Sequence, residues 1–383
     1  MDQPTALAKH GHEGAWAGWR LAAERSGPNL RRRSASPMLK PTLIAAGAAA
    51  AGLAAAVNYR RGRAAERAHP PIGSFMEVDG VTVHYMDKGE GPPVVFLHGN
   101  GALIEDLVLS GLMDRLAERH RVIAIDRPGY GYTARPRDRV WTAAAQARLM
   151  RRVVHRLGVR KPVVIGHSWG AIVAMAWALA HETELAGVVL MSGYYYPTPR
   201  RDVLVFMPPG IPVIGDAMRY TITPPLARLI APKLIERIFA PRPVPRRFAG
   251  SFPLELALRP WQLRASSEEI GLMIPWAALH RKRYRDLRLP VTIITGDEDH
   301  IITATRQSAR LHADIPHSDL RVLPGLGHMI HYFAQDEIVD GVEALLDRSD
   351  ERHAGNVSRP PYAALAPEAR HASDAAVGSA AAY

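Results

Sequence analysis

Residues 163–172 read VVIGHSWGAI, a β-branched apolar run, then Gly166-His167-Ser168-Trp169-Gly170, then a run of helix-forming apolar residues. The spacing G-x-S-x-G between a strand and a helix has a specific physical meaning. A sharp strand-to-helix turn lifts the central side chain out of the sheet edge, and flanking glycines let neighbouring backbones approach closely. The helix that follows points its positive end at the serine, which favours negative charge developing there. A serine hydroxyl alone is a weak nucleophile and needs a general base.

Working outward from Ser168, the pattern alternates. PPVVFLHG, RVIAIDRPGYG, KPVVIGHS, LAGVVLMSG and VTIITGDEDH read as buried strands. Helical stretches lie between them, at 104–119 (interrupted by Gly111), 141–157 with Thr142 as N-cap, and 169–181. SFMEVDGVTVHYMDKG reads as a hairpin turning at Asp79-Gly80. Continuous apolar strands alternating with helices predict an α/β fold, with a mostly parallel central sheet and helices on both faces. The rhythm breaks over 194–286, which is rich in Pro, Arg and bulky apolar residues and reads as a helical insertion. The predicted core is therefore 71–193 and 287–348, and 349–383 reads as a disordered tail.

Two later segments supply partners for the serine. One strand ends in TGDEDHI and the next in LPGLGHMIH. In a parallel sheet the strand C-termini gather on one edge, so these loops and the serine turn are neighbours. His328 is the candidate base and Asp299 the carboxylate that orients it. Asp297, His300 and His331 are rivals, with His331 expected on the final helix.

The set HGNG (98–101), DRPGYG (126–131), GHSWG (166–170), GDED (296–299) and GLGH (325–328) resembles the α/β-hydrolase fold superfamily, serine-nucleophile branch, over residues 74–348. The resemblance implies a Ser168–Asp299–His328 triad and an oxyanion hole from the backbone N–H groups of Asn100 and Trp169. It implies that His98 shapes its loop, and that 194–286 forms a lid over the site. Tyr194, Tyr195, Tyr196, Phe206 and Met207 are candidates to line a substrate pocket there. The expected activity is cleavage of a carboxylic ester or related acyl bond through an acyl-enzyme, on a small-molecule acyl substrate. Acyl transfer, amide or carbon–carbon bond hydrolysis and cofactor-free perhydrolysis use the same triad and stand as alternatives, with a non-catalytic binding protein a further one. No metal or cofactor is implied.

Composition narrows the classes. The chain has 383 residues and no cysteine, which excludes disulfides, thiolate metal sites and a cysteine nucleophile. Net charge is +11, and residues 1–70 hold eleven Lys/Arg against four Asp/Glu. No nucleic-acid-binding motif accompanies this charge. Instead, residues 41–59 form a nineteen-residue stretch without charge, flanked by basic clusters. That length approaches the roughly 20 residues a membrane span needs. Residues 38–60 therefore read as a membrane anchor or signal segment, after a basic, low-structure segment at 1–37. A single N-terminal span is the expected localisation; a secreted, periplasmic or cytoplasmic protein is the alternative.

Overall fold

The computed structural model describes residues 39–357. The segment 1–37 and most of the tail lie outside the described residues. The chain divides into two units at Ala50/Ala51. In the first, residues 39–50 are helical and Leu43 and Ile44 are exposed; they open helix α1 (Leu39–Ala68). The sequence boundary at 60 falls inside this helix. RRGRAAERA is rich in strong helix formers, and the helix stops only at the His69-Pro70-Pro71 joint.

The second unit is built on an eight-stranded sheet. The strands are β1 (Ser74–Val78), β2 (Val81–Lys88), β3 (Pro93–Leu97), β4 (Arg121–Ile125), β5 (Val163–His167), β6 (Gly187–Met191), β7 (Val291–Gly296) and β8 (Asp319–Leu323), in the order β1-β2-β4-β3-β5-β6-β7-β8. Pairing is parallel from β4 onward; β1–β2 and β2–β4 are antiparallel. The β1–β2 hairpin turns at Asp79 and Gly80, both with positive φ (54° and 75°), as a two-residue turn requires.

Helices α2 (Ile104–Ser110), α3 (Leu112–Ala117), α4 (Ala143–Arg156) and α5 (Trp169–His181) follow the early strands. Gly111 takes φ 82° between α2 and α3, and Thr142 Oγ1 caps α4 by accepting from Ala145 N–H. α4 and α5 pack on one face of the sheet. α2, α3 and the last helix, α13 (Gln335–Val357), cover the other. Val163, Val164 and Ile165 of β5 are fully buried between these layers. Each such side chain contributes roughly 1.5–3 kcal/mol. α13 carries the chain helically past residue 349, where a disordered tail was expected. Its buried apolar stripe ends near Leu345, Ser349 one turn on is still buried, and no proline interrupts the polar continuation.

Between β6 and β7 lies a helical insertion: α6 (Asp202–Phe206), a 3-10 turn (Pro208–Gly210), α7 (Ile214–Tyr220), α8 (Thr223–Phe239), α9 (Arg246–Ser251), α10 (Leu254–Ala257) and α11 (Pro260–His280). Met273, Trp276 and Ala277 of α11 join the main core and fasten the insertion to it. A short helix α12 (Ser308–Asp314) precedes β8. Because β3 is followed by β4 on one side and β5 on the other, the sheet changes winding direction there. The crevice at such a switch point is where open α/β sheets bind ligands.

Candidate active site

Ser168 occupies that crevice. β5 ends at His167 and α5 begins at Trp169, so one residue makes the whole turn, at φ 52°, ψ −114°. Positive φ in a non-glycine residue costs of order 1–3 kcal/mol and persists only where the surroundings enforce it. Here Ser168 N–H donates to Met191 O at 2.8 Å. The glycines let the backbones close in. A methyl on Gly166 would sit 2.5 Å from Gly170 O, and one on Gly170 would overlap the Leu97 carbonyl. One on Gly99 would lie 3.2 Å from Ser168 Cβ, so the loop after β3 rests against the serine turn.

Asp299 Oδ2 is 2.8 Å from His328 Nδ1. A carboxylate only accepts, so Nδ1 carries the proton and Nε2 keeps its lone pair. Asp299 Oδ1 accepts the N–H groups of Ile301 and Ile302, each at 2.8 Å. Burial pushes the Asp299 carboxyl up, but His328 and these two donors outweigh it and hold it below the usual carboxylate range. Ser168 and His328 line one cavity. His167, next to Ser168 in the chain, donates from Nε2 to the His328 carbonyl at 3.0 Å and so ties the histidine loop to the serine turn.

The rivals are placed elsewhere. Asp297 is exposed and accepts Gly325 N–H at 2.8 Å, bracing one loop against the other. His300 is exposed at the cavity rim. His331 sits in a 3-10 turn (Ile330–Tyr332) before the final helix, not on it, and pairs through Nε2 with Asp106 at 3.0 Å. Asp106, His167 and His331 form a buried group whose ligand-type atoms lie within 4.8 Å of one another. Two of their nitrogens are already committed, to Asp106 and to the His328 carbonyl.

The Trp169 N–H opens α5, and the first N–H groups of a helix lack intrahelical partners. Asn100 lines the cavity, and its side chain is engaged from below: Nδ2 donates to Tyr130 Oη (3.0 Å), Ser266 O (3.0 Å) and Glu269 Oε2 (3.2 Å). Glu269 comes from helix α11 of the insertion. Its carboxylate also accepts from Arg127, from Tyr130 Oη (2.7 Å) and from Gln146 Nε2 (2.8 Å). Arg127 and Glu269 are both fully buried, and the guanidinium stacks over Tyr130 and Trp169. Sequence reasoning missed this network. It takes Arg127 only as one residue of the DRPGYG motif and does not single out Glu269. The available signal was spacing: Glu269 stands among Ala265, Met273 and Trp276 on the inward face of α11, where an acid demands a partner.

His98 shapes the loop by donating from Nδ1 to Gly99 O (2.8 Å) and accepting Arg127 N–H at Nε2 (3.0 Å). Burial, then the Arg127 charge, lower its pKa to about 4. Arg200 pairs with Asp202 and donates to Ile301 O (3.0 Å), bracing the loop that carries Asp299.

The cavity has a volume of about 720 Å³, and Tyr194, Phe206, Ile238, Ile270 and Met273 line it. Tyr195 does not. Its N–H and that of Tyr196 both donate to Gln307 Oε1, which turns the Tyr195 ring into the core against Tyr284. Tyr196 is likewise directed away, to Asp314, and Met207 packs by Gly271.

Comparison with known proteins agrees with this architecture. The family model for the alpha/beta hydrolase fold matches residues 92–335. Haloalkane dehalogenase 2 of Mycobacterium tuberculosis is 27% identical over 277 residues, 68% of this chain and 90% of the relative. The 2-hydroxymuconate semialdehyde hydrolase of Pseudomonas putida is 25% identical over 295 residues, 74% of this chain and 98% of that one. The crystal structure of a membrane phospholipase A superposes with a TM-score of 0.55 at 20% identity, covering 82% of this chain and 98% of its own. With more than half of its length matched by the family model, the chain belongs to the alpha/beta hydrolase fold family of enzymes.

Proposed function

We propose that this hydrolase cleaves a carboxylic ester with an apolar acyl group through an acyl-enzyme on Ser168. The observation that carries the reading is the meeting of a strained, glycine-flanked serine with a buried, hydrogen-bonded Asp299–His328 pair at one cavity. His328 Nε2 takes the Ser168 proton as Oγ attacks the carbonyl. The oxyanion develops toward the Trp169 and Asn100 N–H groups, a type of donor whose loss costs about 10²–10³ in rate. His328 returns the proton to the leaving alcohol, then activates water to free the acid. Asp299 stays ionised, orients the imidazole and stabilises the imidazolium.

The relatives are named as a haloalkane dehalogenase, a 2-hydroxymuconate semialdehyde hydrolase and a membrane phospholipase A. Serine at the elbow, where dehalogenases of this fold carry an aspartate nucleophile, favours acyl chemistry. The largely apolar lining favours an apolar acyl chain.

Hydrolysis of p-nitrophenyl esters of graded chain length tests the reading. Activity should peak with a medium or long chain, vanish in Ser168→Ala and fall by roughly 10⁴ in Asp299→Asn. Equal activity in Ser168→Ala and the parent protein would refute it.

A further inference from the structure

We propose that the outer face of the lid is a membrane-docking surface, seated on an anionic lipid bilayer beside the place where α1 meets the lid. The inference starts from α8, which is apolar on both sides. Its inner side, with Ala231, Ile235 and Ile238, lines the cavity. Its outer side carries Leu226 and Leu229, in line with Ile222 at its N-cap, spaced four and three residues apart on one stripe and 59% (Ile222), 54% (Leu226) and 77% (Leu229) exposed. A helix at a water-facing surface normally turns charged residues outward; one that is apolar all round is usually covered on every side.

The neighbouring elements extend the patch. α6, the 3-10 turn, α7 and α8 pack in succession. Leu204 and Val205 on α6 and Val213 and Ile214 at α7 are each more than 60% exposed. Among the described residues outside α1 and this segment, only Val140 and Leu279 are large apolar side chains more than half exposed. A contiguous exposed apolar surface of this kind marks a partner.

Three features indicate lipid. First, Asn58 of α1 is buried and donates from Nδ2 to Tyr220 O (2.9 Å) and Thr221 O (3.0 Å), the carbonyls directly ahead of α8. The apolar stripe therefore begins beside a helix that, over Pro41–Ala68, is long and apolar enough to cross a membrane. Second, the charges suit a headgroup layer. Exposed Tyr59 is followed by exposed Arg60 and Arg61, and the α8 stripe ends at exposed Lys233 and Arg237. An aromatic residue and cations edging an apolar face are the pattern of an interfacial element on an anionic surface. Third, Leu234 is 44% exposed and also lines the cavity, as does Arg237. The cavity thus opens on the same face, so an ester dissolved in the bilayer has a direct route to Ser168. This last step rests on the proposed esterase function; the docking itself does not.

The chain has no cysteine, so single labels can be placed cleanly. Full-length protein carrying Leu204→Cys, Val213→Cys or Leu229→Cys, with Val140→Cys and Val322→Cys as controls, is labelled with an environment-sensitive fluorophore. It is then reconstituted in phosphatidylethanolamine–phosphatidylglycerol vesicles containing nitroxide-bearing lipid. The lid labels should be quenched several-fold more than the controls. Lid labels no more quenched than Val140 overturn the proposal, whether they report water or the shielding of a second copy of the chain. In a second measurement, L226E/L229E should keep hydrolysis of a water-soluble ester yet lose roughly tenfold or more on an ester embedded in vesicles. Undiminished hydrolysis of the embedded ester would overturn the entry route independently of the labelling result.

Discussion

Replacing Glu269 by Gln perturbs the junction of lid and core with almost no change in shape. The carboxylate accepts hydrogen bonds from Arg127, Tyr130, Gln146 and Asn100, and is fully buried with its arginine. The charged state is held on both sides. Burial disfavours ionisation of each, but Arg127 keeps the Glu269 carboxyl below its ordinary value, and Glu269 keeps the guanidinium above its own. In Glu269→Gln the arginine stays charged with no counter-ion, and an amide NH₂ faces groups that are donors themselves. Breaking one side of a buried pair costs about 3–5 kcal/mol. With about 2–4 °C lost per kcal/mol in a domain of this size, the melting temperature should fall by roughly 10 °C. Urea unfolding of the parent, Glu269→Gln, Arg127→Met and R127M/E269M measures the effect. The double variant should cost clearly less than the two single variants summed, because it removes both charges. A Glu269→Gln protein within about 0.5 kcal/mol of the parent, or strict additivity in the cycle, would refute the assignment. Since the same carboxylate holds the Asn100 side chain, turnover should fall as well.

Gly170→Ala should destabilise the fold by roughly 1–3 kcal/mol or more, measured by urea unfolding, because the added methyl meets the Leu97 carbonyl and not a movable side chain. His98 gives a pH dependence. Its pKa falls from 6.5 to about 4 on folding, because burial and then the neighbouring Arg127 charge disfavour the imidazolium. The unfolded chain then binds the extra proton first, so this contribution is full above pH 6.5 and is lost as pH drops toward 4. By pH 5 the loss amounts to about 2 kcal/mol. Glu105, raised by burial to about 7, acts in the opposite sense over part of this range. The check is therefore the difference between the parent and His98→Asn, whose stability should decline less between pH 7 and pH 5.

The residues of the candidate triad were legible in the chain because each belongs to a local pattern. G-x-S-x-G is a turn whose geometry is set within five residues, and Asp299 and His328 follow the ends of apolar strands. Once those strands are parallel, their C-terminal loops share one edge, so strand order alone brings the loops together. The hairpin, the Thr142 cap and the break at Gly111 were readable for the same reason, since their contacts are made by near neighbours. What required the tertiary structure depends on partners far away in sequence. Glu269 looks like any acid of a lid helix until the fold delivers Arg127 from 142 residues away. Tyr194 and Tyr195 are adjacent and chemically alike; Gln307, more than a hundred residues on, holds the backbone so that one ring lines the cavity and the other enters the core. The unbroken α1 past residue 60 and α13 past 349 had no marker beyond propensity. The two-sided apolar character of α8 gained its meaning only when packing covered one side and left the other open. Periodicity records which residues are apolar, but only the assembled neighbours determine which of those faces is covered.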